Sequence, residues 1–420
     1  MLTSIDLFSG CGGMSRGLEN AGFQCLAFNE INKSAADSFE LNFPDALRFD
    51  GDIRTALSNE IIEKEIFPLV KNRNIDLVCG GPPCQGFSGI GHRRSYAMDR
   101  KEIPTNHLFY EMIRVIKKIK PNAFLFENVR GILSSKWTED GNKGEIFRDV
   151  WNGFKEIEGY QVQPTLLHGY GFGVPQNRPR IMIMGVKNEI ISQNNFNVTE
   201  FDETKKATTF QSQLKNNGGL FPIWNGNLAP DIIDVLSDLD FEGWTQEKAR
   251  HRKKPKTIFQ RKMREKLGEN WRKHELHDHS FSNHSERVEL KFKLMHENDG
   301  KIPEEMKTKK FSQKIIPKIW GDKMPSITVT SMPDDYVHYS KPRTLSVREW
   351  ARLQTFPDHH RFSGKRTTGG MRRAGNPRKG IWDREVPKYT QIGNAVPPML
   401  AEAVGNRISE ILNYQSNDGS

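Results

Sequence analysis

One thiol in this chain stands on a stretch whose composition suits chemistry better than packing: Gly80-Gly81-Pro82-Pro83-Cys84-Gln85-Gly86-Phe87-Ser88. Two stiff prolines precede Cys84, and small residues follow it. Ahead of them, Ile75-Asp76-Leu77-Val78-Cys79 reads as a short buried strand that stops at the glycine pair. A cysteine on a loop just past a strand end is where α/β enzymes carry chemistry. Free cysteines also serve as small buried hydrophobes, so Cys84 taken alone is a candidate and no more.

A second loop, Ser9-Gly10-Cys11-Gly12-Gly13, follows the first apolar strand. Gly10 and Gly12 let the backbone approach a ligand closely. The third glycine of the dinucleotide pattern would fall at Ser15, so that fingerprint is incomplete and the loop by itself is weak evidence. Glu30, ending the second strand, is placed to accept hydrogen bonds from ribose hydroxyls. Asp52 can accept from an adenine amino group, and Phe8 offers a ring face or edge. Glu30 and Asp52 fit equally well as ordinary loop or helix-capping acids.

The elements that must hold these loops alternate as βα units. Strands are expected at 2–8, 23–28, 77–78, 123–126 and 181–184, with helices at 15–21, 34–42 and 108–119. In the last of these, Leu108, Met112, Val115, Ile116 and Ile119 recur at helical spacing. The pattern predicts an α/β fold, a doubly wound sheet with ligands at the carboxyl ends of its strands. It stops near Val186. From 188 to 323 the chain is polar, basic and weakly periodic, which reads as a second domain; a strand at 326–330, a helix at 346–354 and a closing helix to 412 follow.

With 420 residues and 36% hydrophobic content, the chain can bury a substantial core and is long enough for two domains. No run approaches the roughly 18 apolar residues of a membrane span. The chain opens directly into a strand, so no signal peptide is expected and a cytoplasmic location is. The four cysteines lie in the first fifth of the chain without a CxxC pair, which argues against a metal site or a disulfide framework. A net charge of +10 suggests a polyanionic partner. Residues 248–273 carry twelve Lys/Arg against Glu265 and Glu269, interleaved with Phe259, Trp271, His251 and His274, and residues 361–379 carry seven with no acid. Each cluster alone suits a solvated surface as well as a phosphate-binding one; two beside a candidate active site favour phosphate contacts.

Six motifs then stand in a telling order: Asp6-Leu7-Phe8-Ser9-Gly10-Cys11-Gly12-Gly13, Gly80-Gly81-Pro82-Pro83-Cys84-Gln85, Glu127-Asn128-Val129, Gln176-Asn177-Arg178-Pro179-Arg180, Arg343-Thr344-Leu345-Ser346-Val347-Arg348-Glu349 and Gln391-Ile392-Gly393-Asn394-Ala395-Val396-Pro397-Pro398. In this order the chain resembles the cytosine-C5 DNA methyltransferases of bacterial restriction–modification systems, over nearly its whole length except the middle. The resemblance implies a Rossmann-like methyltransferase domain (1–187 plus 386–416) that binds S-adenosylmethionine, and a smaller, mixed target-recognition domain with its hinge (188–385). It also implies a cytosine flipped out of duplex DNA, a monomeric enzyme and a cognate restriction endonuclease. Cys84 would add to C6 of the cytosine, Glu127 would contact N3 and the exocyclic amine, Arg180 would hold O2, and Arg178 would brace the site. Phe8, Gly10, Gly12, Glu30, Asp52, Ile53, Leu108 and Asn394 would line the cofactor pocket. The segment 88–106 has the basic, glycine-containing makeup of a lid over DNA, with Arg93 and Arg94 as phosphate contacts and Gln85 and Ser88 as further DNA-binding residues.

Three rival readings are weaker. A tRNA cytosine methyltransferase of the same fold shares the Pro-Pro-Cys site, but such enzymes have a much shorter middle region. A catalytically silent DNA-binding scaffold would not need Cys84, Glu127, Arg178 and Arg180 together. An NAD-dependent oxidoreductase fails on the glycine spacing.

Overall fold

The computed structural model describes residues 1–70, 74–83, 101, 103–194, 196, 198–215, 218–224, 226, 229–240, 250–307, 313–321, 323–368 and 385–413. Seven strands form the central sheet: β1 (Leu2–Leu7), β2 (Phe23–Glu30), β3 (Leu47–Asp50), β4 (Leu77–Gly80), β5 (Ala123–Val129), β6 (Tyr160–His168) and β7 (Pro179–Lys187). Their order is β3-β2-β1-β4-β5-β7-β6. The first five pair in parallel, and β7 runs antiparallel to both β5 and β6. The helices that position the site are α1 (Gly13–Asn20), α2 (Lys33–Asn42), α3 (Ile53–Ala56), α4 (Leu108–Ile119), α5 (Glu145–Lys155), α6 (Val347–Leu353), α7 (Lys388–Asn394) and α8 (Pro398–Asn413).

Strands apolar on both sides must be covered on both faces, and the two-residue side-chain period divides them cleanly. Val78, Phe124, Phe126, Ile181 and Ile183 pack under α4 and α5, while Leu77, Cys79, Ala123, Leu125, Met182 and Met184 pack under α1 and α8. The α/β fold and the expected strands and helices of the first part are present. β6 was not legible, because Gln161, Gln163 and Pro164 interrupt its apolar pattern. Nor does periodicity carry strand direction, so the reversal at β7 is new. The segment 326–330 corrects an expectation: it is no strand. Ile327 and Val329 are buried, but the backbone there pairs with the 176–178 loop instead of a ladder. Asn177 N donates to Ile327 O (2.8 Å), and Val329 N donates to the Gln176 side chain (2.8 Å).

The change of composition near Val186 is not a change of packing. Ile191, Phe201, Phe210, Leu214, Leu220 and Phe221 still pack on the sheet's two faces. A third core gathers residues of 232–362 with Cys11, Tyr389 and Ile392. Buried charges lie inside this middle part. Arg352 donates to Asp238 Oδ1 (2.7 Å) and to both oxygens of Asp358 (2.7 and 2.6 Å), and Arg264 pairs with the same two acids. Burial alone would raise the Asp358 carboxyl, but Arg352 and its neighbours hold it far below the usual carboxylate range.

Asp6, under the end of β1, is the opposite case. Burial pushes its carboxyl up to about 7, against the hydrogen bond it accepts from Ser15 Oγ (2.6 Å). Its pKa is higher in the folded than in the unfolded chain. The associated stability is therefore complete below about pH 4 and is lost as pH rises through about 7. Between pH 5 and pH 8 the native protein is expected to lose roughly 2–4 kcal/mol relative to Asp6→Asn, at ~1.4 kcal/mol per pKa unit. Urea unfolding at the two pH values measures this; parallel curves for the two proteins would refute it.

Candidate active site

The parallel strands end together. Leu7 pairs with Asn29 and Gly80, Glu30 with Asp50, and Gly80 with Phe126, so the loops after β1, β2, β4 and β5 emerge along one edge. Pro179 and Arg180 begin antiparallel β7 at the same edge, where Val129 pairs with Arg180. Sequence-distant candidates are brought together there by topology alone.

Glu127 sits at the centre. It is 8% exposed, and Arg180 Nε lies 2.5 Å from its Oε1. Burial raises its pKa even though Arg180 and Arg178 pull the other way. A Cβ on Gly81 would stand 2.8 Å from Glu127 Oε2, so the loop leading to Cys84 runs directly against this carboxyl, and only glycine leaves the room. Asn128 fixes the same loop by donating to Pro82 O (3.1 Å). Asn128 stands in a recognisable motif, yet its type alone gave no role. Cys84, Gln85, Ser88, Arg93 and Arg94 lie outside the described residues.

Arg178 acts as a clamp. It is buried, and its two terminal nitrogens donate to Val329 O (2.6 Å), Gly393 O (2.6 Å) and Ala395 O (3.0 Å). One side chain thus ties the Glu127 edge to the 326–330 segment and to the end of α7. Asn394, the last residue of α7, is exposed between the two carbonyl groups held by Arg178. Gln176 extends the clamp by donating to Leu353 O (2.9 Å).

The loop after β1 has the backbone a close-fitting ligand site requires. Phe8, Gly10 and Gly12 all have positive φ (56°, 55° and 84°), a region costly for a phenylalanine. A Cβ on Gly12 would meet the Phe43 ring at 2.7 Å, whereas one on Gly10 would meet nothing within 4 Å. The Glu30 carboxylate bridges two loops, accepting from Gly10 N (2.9 Å) and Asn32 N (2.8 Å). Among the described residues, Ser9 Oγ is buried without a hydrogen-bond partner, as expected of a group that meets a polar ligand. Asp52 caps α3 by accepting from Arg54 N (2.9 Å), and its hydrogen bonds from Arg54 hold its carboxyl below the usual range. Ile53 is buried, and Leu108 is half-buried at the start of α4. A nucleoside-bearing cofactor fits this set.

Three of the twelve cations of the basic run at 248–273 have acidic partners among the described residues. Arg264 is buried in ion pairs with Asp238 and Asp358. Lys262 Nζ reaches Glu402 (2.6 Å), and Lys266 Nζ reaches Glu19 (2.9 Å). Glu19 lies near the end of α1 remote from the site edge. Arg264 thus serves the fold, while Lys262 and Lys266 form partly exposed pairs at the surface. In the second cluster, Arg366 likewise donates to Phe281 O (2.9 Å) and Ser282 Oγ (2.7 Å).

The family model for C-5 cytosine-specific DNA methylases matches residues 2–410. The chain is 30% identical over 410 residues to the type II methyltransferase M1.HphI of Haemophilus parahaemolyticus, covering 97% of this chain and 86% of that protein. It is 28% identical to the type II methyltransferase M.DdeI of Desulfomicrobium norvegicum, with 96% and 88% covered. Among solved structures, it resembles an E. coli protein described as a prophage-encoded DNA modification methyltransferase (TM-score 0.66, 24% identity, 99% and 100% covered). It also resembles the Dnmt2 methyltransferase of S. pombe (TM-score 0.52, 16% identity, 99% and 100% covered). At those identities the two structural likenesses concern the fold.

Proposed function

The chain belongs to the C-5 cytosine-specific DNA methylase family, and on that premise we propose that it methylates C5 of a cytosine turned out of a short duplex-DNA site, using S-adenosylmethionine and a transient Cys84–C6 bond. The observation that carries this reading is the Glu127 carboxyl: buried, raised in pKa, paired with Arg180 and packed on the loop that leads to Cys84.

Cytosine C5 is too weak a nucleophile to take a methyl group unaided. Addition of the Cys84 thiolate to C6 makes the C5–C6 bond single and, with a proton at N3, leaves a C4–C5 enamine whose C5 is the nucleophile. The charge that develops on the ring falls at N3, where Glu127 supplies a proton; burial, which raises the pKa of this carboxyl against the pull of Arg180 and Arg178, favours that task. Arg180 holds O2, and Arg178 keeps the surrounding backbone in place. S-adenosylmethionine, when bound, supplies a methyl group on a sulfonium. Phe8, Gly10, Gly12, Glu30, Asp52, Ile53, Leu108 and Asn394 would hold it. Loss of the C5 proton to a base then expels Cys84 and restores the ring. A stacked base cannot reach the thiol, so extrusion of the cytosine is part of the proposal. Gln85, Ser88, Arg93 and Arg94 are proposed DNA contacts around it.

The division of labour follows: residues 1–187 with 386–416 for the chemistry, and 188–385 for target choice and hinge. The proposed setting is a monomeric bacterial cytoplasmic enzyme that protects host DNA from a cognate endonuclease. Relatives named as type II methyltransferases support it. The test is transfer of labelled methyl groups to duplex DNA and to tRNA side by side. Label is expected as 5-methylcytosine in DNA; label confined to tRNA would favour the rival reading. Glu30→Ala and Asp52→Ala are each expected to weaken S-adenosylmethionine binding by about 1–3 kcal/mol, the cost of unpaired polar groups. Unchanged affinity in both, measured by calorimetry, would mean that the pocket is elsewhere.

A further inference from the structure

The cofactor loop is held from behind by a residue far away in sequence. Cys11 lies just ahead of α1, whose N-cap is Gly12, so its carbonyl has no partner in the helix. Buried carbonyl groups require one. His360 supplies it: the imidazole is fully buried, and its Nε2 lies 2.9 Å from Cys11 O.

The other ring nitrogen faces Arg16. Arg16 Nε lies 3.4 Å from His360 Nδ1, and the arginine is itself buried, with its guanidinium 4.6 Å from the centre of the Phe43 ring. Arg16 can only donate, so Nδ1 must accept and Nε2 must carry the proton that goes to Cys11. Phe356 (4.6 Å), Phe362 (5.1 Å) and Phe43 (6.5 Å) surround the ring. Burial, together with the nearby Arg16, keeps the imidazole neutral. Phe43 is also the ring against which Gly12 is wedged. His360 is fixed in its turn by Arg348, which donates to His360 O (2.7 Å) and to His277 O (3.1 Å).

We propose that His360 is a positioning residue for S-adenosylmethionine binding: its Nε2–H, with the tautomer set by Arg16, holds the Cys11 carbonyl and thereby the Gly10–Gly12 backbone in the form that receives the cofactor. This rests on the cofactor pocket assigned above. The loop is then braced by the half of the chain proposed to read DNA, through a residue that touches neither cofactor nor substrate.

Two polar replacements of similar size separate this role from a merely structural one. In His360→Gln the side-chain amide reaches the former Nε2 position and can still donate to Cys11 O; in His360→Asn it stops at the former Nδ1 position and cannot. The full-length proteins are compared by calorimetry with S-adenosylmethionine and by steady-state kinetics, with Glu30→Ala as the pocket control. His360→Asn is expected to raise Kd and KM for S-adenosylmethionine roughly ten-fold, the scale of one unpaired buried acceptor. The kcat at saturating cofactor and the KM for DNA should stay within about two-fold, and His360→Gln should recover most of the loss. Equal behaviour of the two variants, or a fall in kcat without a change in cofactor affinity, would overturn the role of His360. If Glu30→Ala weakens binding and His360→Asn does not, only this proposal fails. If neither does, the pocket assignment fails with it.

Discussion

Duplex DNA carrying 5-fluorocytosine at the target position is expected to become covalently fixed to the protein through Cys84. After addition to C6 and methylation at C5, release of the thiol requires loss of the C5 substituent as a proton; fluorine cannot leave that way, and the adduct accumulates. A denaturation-resistant complex should appear only when S-adenosylmethionine is present. Cys84→Ala should give none, and its methyl transfer should fall by a factor on the order of 10³ or more, the scale on which loss of a nucleophile is felt. The other cysteines make the result specific. Cys11 and Cys79 are buried, and burial pushes both thiols far above their usual range; burial pushes Cys25 up to about 12. None of the three supplies a thiolate near neutrality. Alanine at any of them should leave trapping intact, and an undiminished adduct from Cys84→Ala would remove the covalent mechanism altogether.

What was legible in the sequence, and what was not, follows from where each signal resides. The chemistry-bearing loops carry rare local combinations, such as two glycines and two prolines ahead of one cysteine. α4 showed itself because Met112, Val115, Ile116 and Ile119 must all face the sheet. β6 was hidden because a glutamine turns inward to a distant partner: Gln163 is buried and donates to Gly218 O (2.9 Å). Which cations of the basic run are taken up by the fold was not legible, because Asp238, Asp358, Glu19 and Glu402 are neighbours of Arg264, Lys266 and Lys262 only in the fold. The same holds for His360 and Arg16, separated by 344 positions, and for Arg178, whose partners are backbone carbonyl groups that any residue type provides. Local periodicity finds elements, and motif order finds the reaction. Contacts made by a side chain to distant backbone leave no trace in either.

Exchanging residues 222–385 for the corresponding part of a relative with a different target is expected to transfer target choice while Cys84-dependent methylation continues. The breakpoint after Phe221 follows the packing, since Leu220 and Phe221 still belong to the sheet's own core. Contacts that cross the junction favour an intact site. Arg178 holds Val329 O, Asn177 N holds Ile327 O, and Gln176 holds Leu353 O, contacts that ask only backbone of the incoming segment, while His360, Lys262 and Lys266 cross by their side chains and are to be kept in the chimera. Asp238, His251, Arg264, Arg352 and Asp358 all lie inside the exchanged part and travel together. A breakpoint placed between Arg264 and Arg352 would instead pair each half of this buried network with a stranger. Leaving one such charge uncompensated costs about 3–5 kcal/mol, a large share of the 5–15 kcal/mol by which a typical domain is stable. The narrower chimera is therefore expected to melt well below the wider one in thermal unfolding, with little soluble activity. Bisulfite sequencing of DNA from cells expressing the wider chimera reads the target directly. If that protein is active and still methylates the original site, recognition resides in the catalytic half, and the proposed division between chemistry and target choice is wrong.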